Sequence, residues 1–204
     1  KKNKIITPKE KRTIAYHEAG HASVSWLLEH ANPLVKVTIV PRGQALGAAW
    51  YLPEERQITT KAQLLDQMIS LLGGRAAEEI VFGEVSTGAL NDLERVTKQA
   101  YAMVVYYGLD KEIGNISFYD SSGQSEYGFQ KPFSDKTAEK IDAQIRTMVE
   151  EAYSKAKTIL TENREKLDAL ATILVEREVI FREDVENIYG KRPWDEEKAE
   201  EQQA

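Results

Sequence analysis

Apolar positions recur every three to four residues through most of the chain, and that period predicts helices. The first runs over about residues 8–30. Thr7, Pro8 and Glu10 have the spacing of a capped helix start. Ile14, Val24, Leu27 and Leu28 form its apolar stripe, and Asn32-Pro33 stops it. The rhythm then changes. "LVKVTIVPRG" and "LGAAWYLP" are rich in β-branched, aromatic and small residues and read as two short strands parted by Pro41-Arg42-Gly43. The helical period returns in "TTKAQLLDQMISLLGGRAAEEIVFG". Its Gly73-Gly74 pair weakens a helix by roughly 1 kcal/mol per glycine relative to alanine, so a close backbone contact is the reason to have both. "STGALNDLERVTKQAYAMVVYYG" is a polar turn feeding a third helix, which Gly108 closes.

Residues 109–133 carry Gly, Ser, Asp and Pro throughout and predict an irregular segment. Beyond it, Ile141, Ile145, Met148, Ala152 and Ile159 restore helical spacing, and "EKLDALATILVERE" and "REDVENIYG" complete a helical second half. The expected fold is mainly α, with one small β element directly after the first helix. The expected organisation is one domain over residues 1–190, with a site-bearing half at about 1–108 and a helical half at about 134–190. The polar, acidic residues 191–204 are expected to be a disordered tail.

Composition narrows the chemistry. The 204 residues are 42% hydrophobic and 29% charged, which describes a soluble globular chain. A net charge of −6 without a Lys/Arg block argues against a general nucleic-acid binder. Having no cysteine excludes disulfides, thiolate metal sites and cysteine nucleophiles. No apolar run reaches membrane-spanning length. The start, "KKNKIITPKEKR", lacks Met and an apolar signal core, so the chain reads as a fragment of something larger.

Two of the three histidines stand in "AYHEAGHASV". At about 100° per residue, His17 and His21 project from one helix face, one turn apart. Two imidazoles so placed can share a zinc ion, and Glu18, turned away by about 100°, can take a proton from a water that zinc has made acidic. Catalytic zinc needs a third protein ligand. His30 lies about 180° around the expected helix and reads as a C-terminal residue near its exposed carbonyls. Val24 and Leu27 break the extended three-histidine pattern. A carboxylate is therefore needed. Glu78-Glu79, beside the glycine pair, and Asp92 with Glu94, where "STGALND" enters the third helix, are the two candidate clusters. Spacing does not choose between them.

"HEAGH", "VTIVPRG", "LGAAWYLPEE", "LLGGRAAEEIVFG" and "STGALNDLERVTKQA" occur in that order. Over about residues 7–190 they resemble the peptidase domain of the FtsH family of ATP-dependent zinc metalloproteases, including the mitochondrial AAA proteases. The resemblance implies a zinc endopeptidase with one Zn2+ per chain held by His17, His21 and Asp92, and with Glu18 catalytic. Glu78 and Glu79 then become structural residues able to fix a histidine ring, and Glu94 a solvated charge. It also implies a homo-oligomer, a hexamer, acting on unfolded and membrane proteins as extended peptides. An upstream AAA ATPase and membrane helices would be covalently linked in a parent protein of the bacterial inner membrane, with this domain cytoplasmic, or of the mitochondrial inner membrane. ATP would act only through that absent module: Gly83 and Gly88 have the first spacing of a phosphate loop, but Ala89-Leu90 replace its Lys and Ser/Thr. The competing classes are a non-peptidase zinc hydrolase, which would share only the metal chemistry, and a catalytically silent oligomerisation module. The intact Glu18 argues against the latter as a sole role.

Overall fold

The computed structural model describes residues 5–123 and 131–201. Among these, seven helices and three strands follow in the order α1 (Pro8–Trp26), β1 (Leu34–Thr38), β2 (Ala48–Tyr51), α2 (Lys61–Phe82), α3 (Leu90–Tyr101), α4 (Asp135–Glu162), α5 (Arg164–Arg177), β3 (Val179–Phe181), α6 (Arg182–Tyr189) and α7 (Pro193–Glu201). The fold is mainly α, as the period predicts. Thr7 and Glu10 form the anticipated capping box, and Thr60 with Gln63 repeats it on α2.

The centre of the fold is the crossing of α1 and α2. A side chain on Gly20 would collide with the Gly73 carbonyl and with Ala77, and one on Gly73 would lie 2.7 Å from the Gly20 oxygen. Ala19, Ala22, Ala76 and Ala77 are also fully or almost fully buried, so the two backbones meet across a layer of small residues. The glycine pair that weakens α2 in isolation is thus the contact surface for α1. Around it, one cluster of buried residues runs from Ala15 through Leu72, Met103, Leu160 and Leu170 to Val185.

The β element has three strands in the order β2-β1-β3, both pairings antiparallel. The third strand was hidden in the sequence. "VIF" is too short to show a period, and it sits between two helices. Glu178 adopts a left-handed backbone (φ 65°) to end α5. The Glu178 carbonyl then accepts the Ile39 N–H, aligning Val179–Phe181 against β1. Strand β2 forms one edge of the sheet.

Two further differences share a cause. Helix α1 ends at Trp26 instead of near residue 30, and His30 lies past its end with its N–H donated to Asp66. The tail is helical at Pro193–Glu201 where disorder was expected; residues 202–204 lie outside the described residues. Arg192, 2% exposed, links the two. Its guanidinium donates to the carbonyls of Trp26, Leu28 and Ala31, which satisfies the end of α1 without another helical turn. Asp195 binds Arg182 and Arg192, and Lys198 binds Glu54 at 2.8 Å. Lys198 thus has a partner 144 residues away in sequence, which composition cannot reveal.

Residues 109–123 contain no helix or strand, yet they are anchored. The Asp110 carboxylate accepts the N–H groups of Glu112 and Ile113, and Phe118 packs edge-on against Phe133.

The crossing makes a direct prediction. Gly73→Ala should lower stability by about 1–3 kcal/mol, because the new methyl group overpacks against unyielding backbone. Denaturant unfolding measures this, with Glu139→Ala, at an exposed position of α4, as the milder comparison.

Candidate metal centre

The antiparallel crossing aligns one face of α2 with the histidine face of α1. Ser70, Gly74 and Glu78 are successive residues on that face, one turn apart. Each meets a histidine. The Ser70 carbonyl lies 2.9 Å from His21 Nδ1, and Glu78 Oε2 lies 2.8 Å from His17 Nδ1. Gly74 makes room for the ring between them, since a Cβ there would be 2.5 Å from His17 Nε2. A carbonyl can only accept, so His21 Nδ1 carries the proton and its Nε2 presents a lone pair. The Glu78 carboxylate orients His17 in the same way.

Asp92 arrives from the third direction, in the first turn of α3 after the tight 3₁₀ turn Thr87–Ala89. Its Oδ2 is 3.1 Å from Nε2 of both His17 and His21, and those two nitrogens are 3.1 Å apart. Among the described residues, His17, His21 and Asp92 form the cluster able to hold a metal ion. The set fits zinc. Nitrogen and oxygen donors at about 2.0–2.1 Å from a tetrahedral ion stand roughly 3.3 Å apart, close to the spacing here. Three donor atoms brought this close, with both imidazoles held from behind, suit a shared cation.

The electrostatics follow from burial and partners. Burial works against an imidazolium at His17, but the hydrogen bonds to Asp92 and Glu78 and the charge of Glu18 outweigh it, pushing the pKa up to about 10. Burial would raise Asp92, yet the two histidines hold it well below the usual carboxylate range. Glu78, 1% exposed, is also held down despite burial, by His17 and Ser86. Glu18 goes the other way: desolvation raises it, and His21 and His17 offset this in part. Its carboxyl group faces the chain just before β2, where a Cβ on Gly47 would lie 3.0 Å from Glu18 Oε1.

The two acidic candidate clusters separate clearly. Asp92 joins the histidines and Glu78 stands one bond behind them. Glu79 turns away to Tyr153 (3.0 Å) and Lys157 (3.1 Å), and Glu94 pairs with Lys98 on the surface. His30 is outside the cluster; its ring approaches Glu29 and does not cap helix carbonyls as anticipated. Ser70 was missed because it acts through its backbone oxygen, which leaves no mark on the side-chain pattern. Ser86 was also missed, although it lies within the "STGALND" stretch.

Fold and site together define a mainly α domain built around a buried two-histidine, one-carboxylate centre with an acidic neighbour. The chain belongs to peptidase family M41, whose model matches residues 4–188. It is 63% identical over 194 residues to the ATP-dependent zinc metalloprotease FtsH of Parabacteroides distasonis, covering 95% of this chain and 28% of that protein. Identity is 54% over 196 residues to the protein of the same name from Rhodothermus marinus, covering 95% and 28%. It is 46% over 196 residues to the mitochondrial inner membrane m-AAA protease component AFG3L2 of Mus musculus, covering 96% and 24%. The chain thus spans under a third of the length of these relatives.

A test of the histidine anchoring needs no metal. Glu78→Gln removes a charge-assisted bond, and such bonds contribute about 1.5–3 kcal/mol. The His17 pKa in the zinc-free chain should then fall by about one to two units. NMR titration of the imidazole resonances measures it, with Glu79→Gln expected to have little effect.

Proposed function

We propose that this chain is the proteolytic module of an ATP-dependent, membrane-anchored zinc protease, in which His17, His21 and Asp92 hold one Zn2+ and Glu18 is the general base. The observation that carries this reading is the convergence of His17 Nε2, His21 Nε2 and Asp92 Oδ2 at 3.1 Å from one another. The metal, when bound, polarises a scissile carbonyl and acidifies water. The chain's own residues supply the rest. Ser70 and Glu78 fix the imidazole orientations, so neither ring has to reorganise. Glu18, adjacent to the ligands but outside their cluster, takes a proton on its carboxylate and returns it to the leaving amine. Its buried setting strengthens that proton affinity.

Substrate is proposed to bind as an extended peptide. Strand β2 lies at the sheet edge, and a Cβ on Gly47, at its entry, would lie 2.8 Å from Glu18 Cγ. A peptide added along that edge would be held by backbone hydrogen bonds near the base, with weak dependence on side chains. Small Gly47, Ala48 and Ala49 permit the approach. The relatives' names, which specify ATP dependence and, for one, the mitochondrial inner membrane, support a parent protein with an ATPase and a membrane anchor. The family resemblance supports a hexamer acting on unfolded and membrane proteins. It also supports a bacterial inner-membrane parent with this domain cytoplasmic, the mitochondrial inner membrane being the other placement. Among the described residues, no helix is long and apolar enough to cross a membrane.

Hydrolysis of an unfolded casein substrate tests the assignment. Glu18→Gln should reduce the rate by about 10²–10⁴-fold while keeping full zinc stoichiometry. Asp92→Ala should weaken zinc binding by more than about a hundredfold, beyond what loss of a supporting residue costs. Activity surviving in Glu18→Gln, or full zinc content at sub-stoichiometric chelator in Asp92→Ala, would overturn the corresponding role. A stably folded substrate should be cut poorly, with or without ATP.

A further inference from the structure

The support of His17 and the turn that delivers Asp92 meet at one hydroxyl group. Ser86 Oγ donates to Glu78 Oε1 and accepts the Gly88 N–H at 3.1 Å, capping the turn Thr87–Ala89. The other oxygen of Glu78 holds His17 Nδ1. A continuous path therefore runs from His17 on α1, through Glu78 on α2, to Ser86 and the turn leading into α3 and Asp92. The turn also lies against this pair: a Cβ on Gly88 would be 3.3 Å from Ser86 Oγ and 4.0 Å from both Glu78 Oε2 and His17 Nδ1.

We propose that Ser86 is a positioning residue, whose hydroxyl ties the turn leading into α3 and Asp92 to Glu78 and thereby holds the three donor atoms at metal-binding spacing. The inference rests on the zinc reading of the site. Its physical basis is that Glu78 is buried and has two oxygens to satisfy. One faces His17, and Ser86 supplies the donor for the other. Without the hydroxyl, Glu78 loses that donor and the Gly88 N–H loses its acceptor. The turn leading to Asp92 then loses its hydroxyl link to the carboxylate that orients His17, and only the Ser86 backbone N–H still addresses that carboxylate. Thr fits the same role because it keeps a hydroxyl at a capping position.

Competition with a chromophoric zinc chelator, on chains first stripped of metal, gives the test. Ser86→Ala should weaken zinc binding by about tenfold, the lower end of the range for residues that orient metal ligands. Ser86→Thr should stay within about twofold of wild type. On a Glu78→Ala background, Ser86→Ala should change affinity by less than about twofold, because its route to His17 is already gone. Thermal unfolding of each zinc-free chain is recorded alongside. Unchanged affinity in Ser86→Ala overturns the proposal, as does an equal tenfold loss on both backgrounds. Loss of cooperative unfolding in zinc-free Ser86→Ala would assign the residue to folding and overturn the positioning role. Wild type that takes up no zinc would sink the metal reading itself. Tight wild-type binding that Ser86→Ala leaves untouched would sink the role of Ser86 alone.

Discussion

The contact between Gly20 and Gly73 sets the distance between α1 and α2, and the metal centre depends on that distance. Were the helices held apart by ordinary side chains, Glu78 and the Ser70 carbonyl would not both reach imidazole nitrogens. The lost helix propensity of two adjacent glycines, about 1 kcal/mol each, is therefore offset by packing and by the hydrogen bonds that the close crossing permits. Gly74 has a different job from its neighbour. Gly73 admits a backbone, whereas Gly74 admits the His17 ring.

The same geometry explains how acidic and basic groups share a buried space. Asp92 and Glu78 both lie beside His17, and desolvation alone would push both carboxyl groups toward the neutral form. The imidazoles reverse that, so the carboxylates remain charged and His17 gains a high proton affinity. A zinc ion must displace that proton, which couples metal binding to pH. Glu18 differs because, among the described residues, desolvation and charge alone shift it, without a hydrogen-bonded partner. Desolvation therefore dominates, and a more basic carboxylate results from the environment alone.

The elements legible in the sequence were those whose signal is local. The capping box at Thr7, the helical periods and the one-face spacing of His17 and His21 are all short-range patterns. The need for a carboxylate followed from having no cysteine and no usable third histidine. Its identity did not follow, because Asp92 comes within reach only through a helix crossing that spacing cannot encode; the family resemblance supplied it. Strand β3, the early end of α1 and helix α7 were illegible for the same reason. Each depends on partners more than a hundred residues away, in Ile39 for the strand and in Arg192 for the end of α1.

The placement of β2 extends this logic from the metal to the substrate. A sheet edge offers unpaired backbone groups, a hazard unless something covers or uses it. Here a Cβ on Gly47, in the chain entering that edge, would lie 2.8 Å from Glu18 Cγ, so the edge starts beside the proposed base. Any side chain at residue 47 would press on the Glu18 carboxyl group. The glycine thus leaves room both for the Glu18 carboxyl group and for the Thr38 carbonyl of the neighbouring strand. In the proposed reading the small sheet is therefore part of the site: α1 carries both histidines and the base, and β2 supplies an edge beside them.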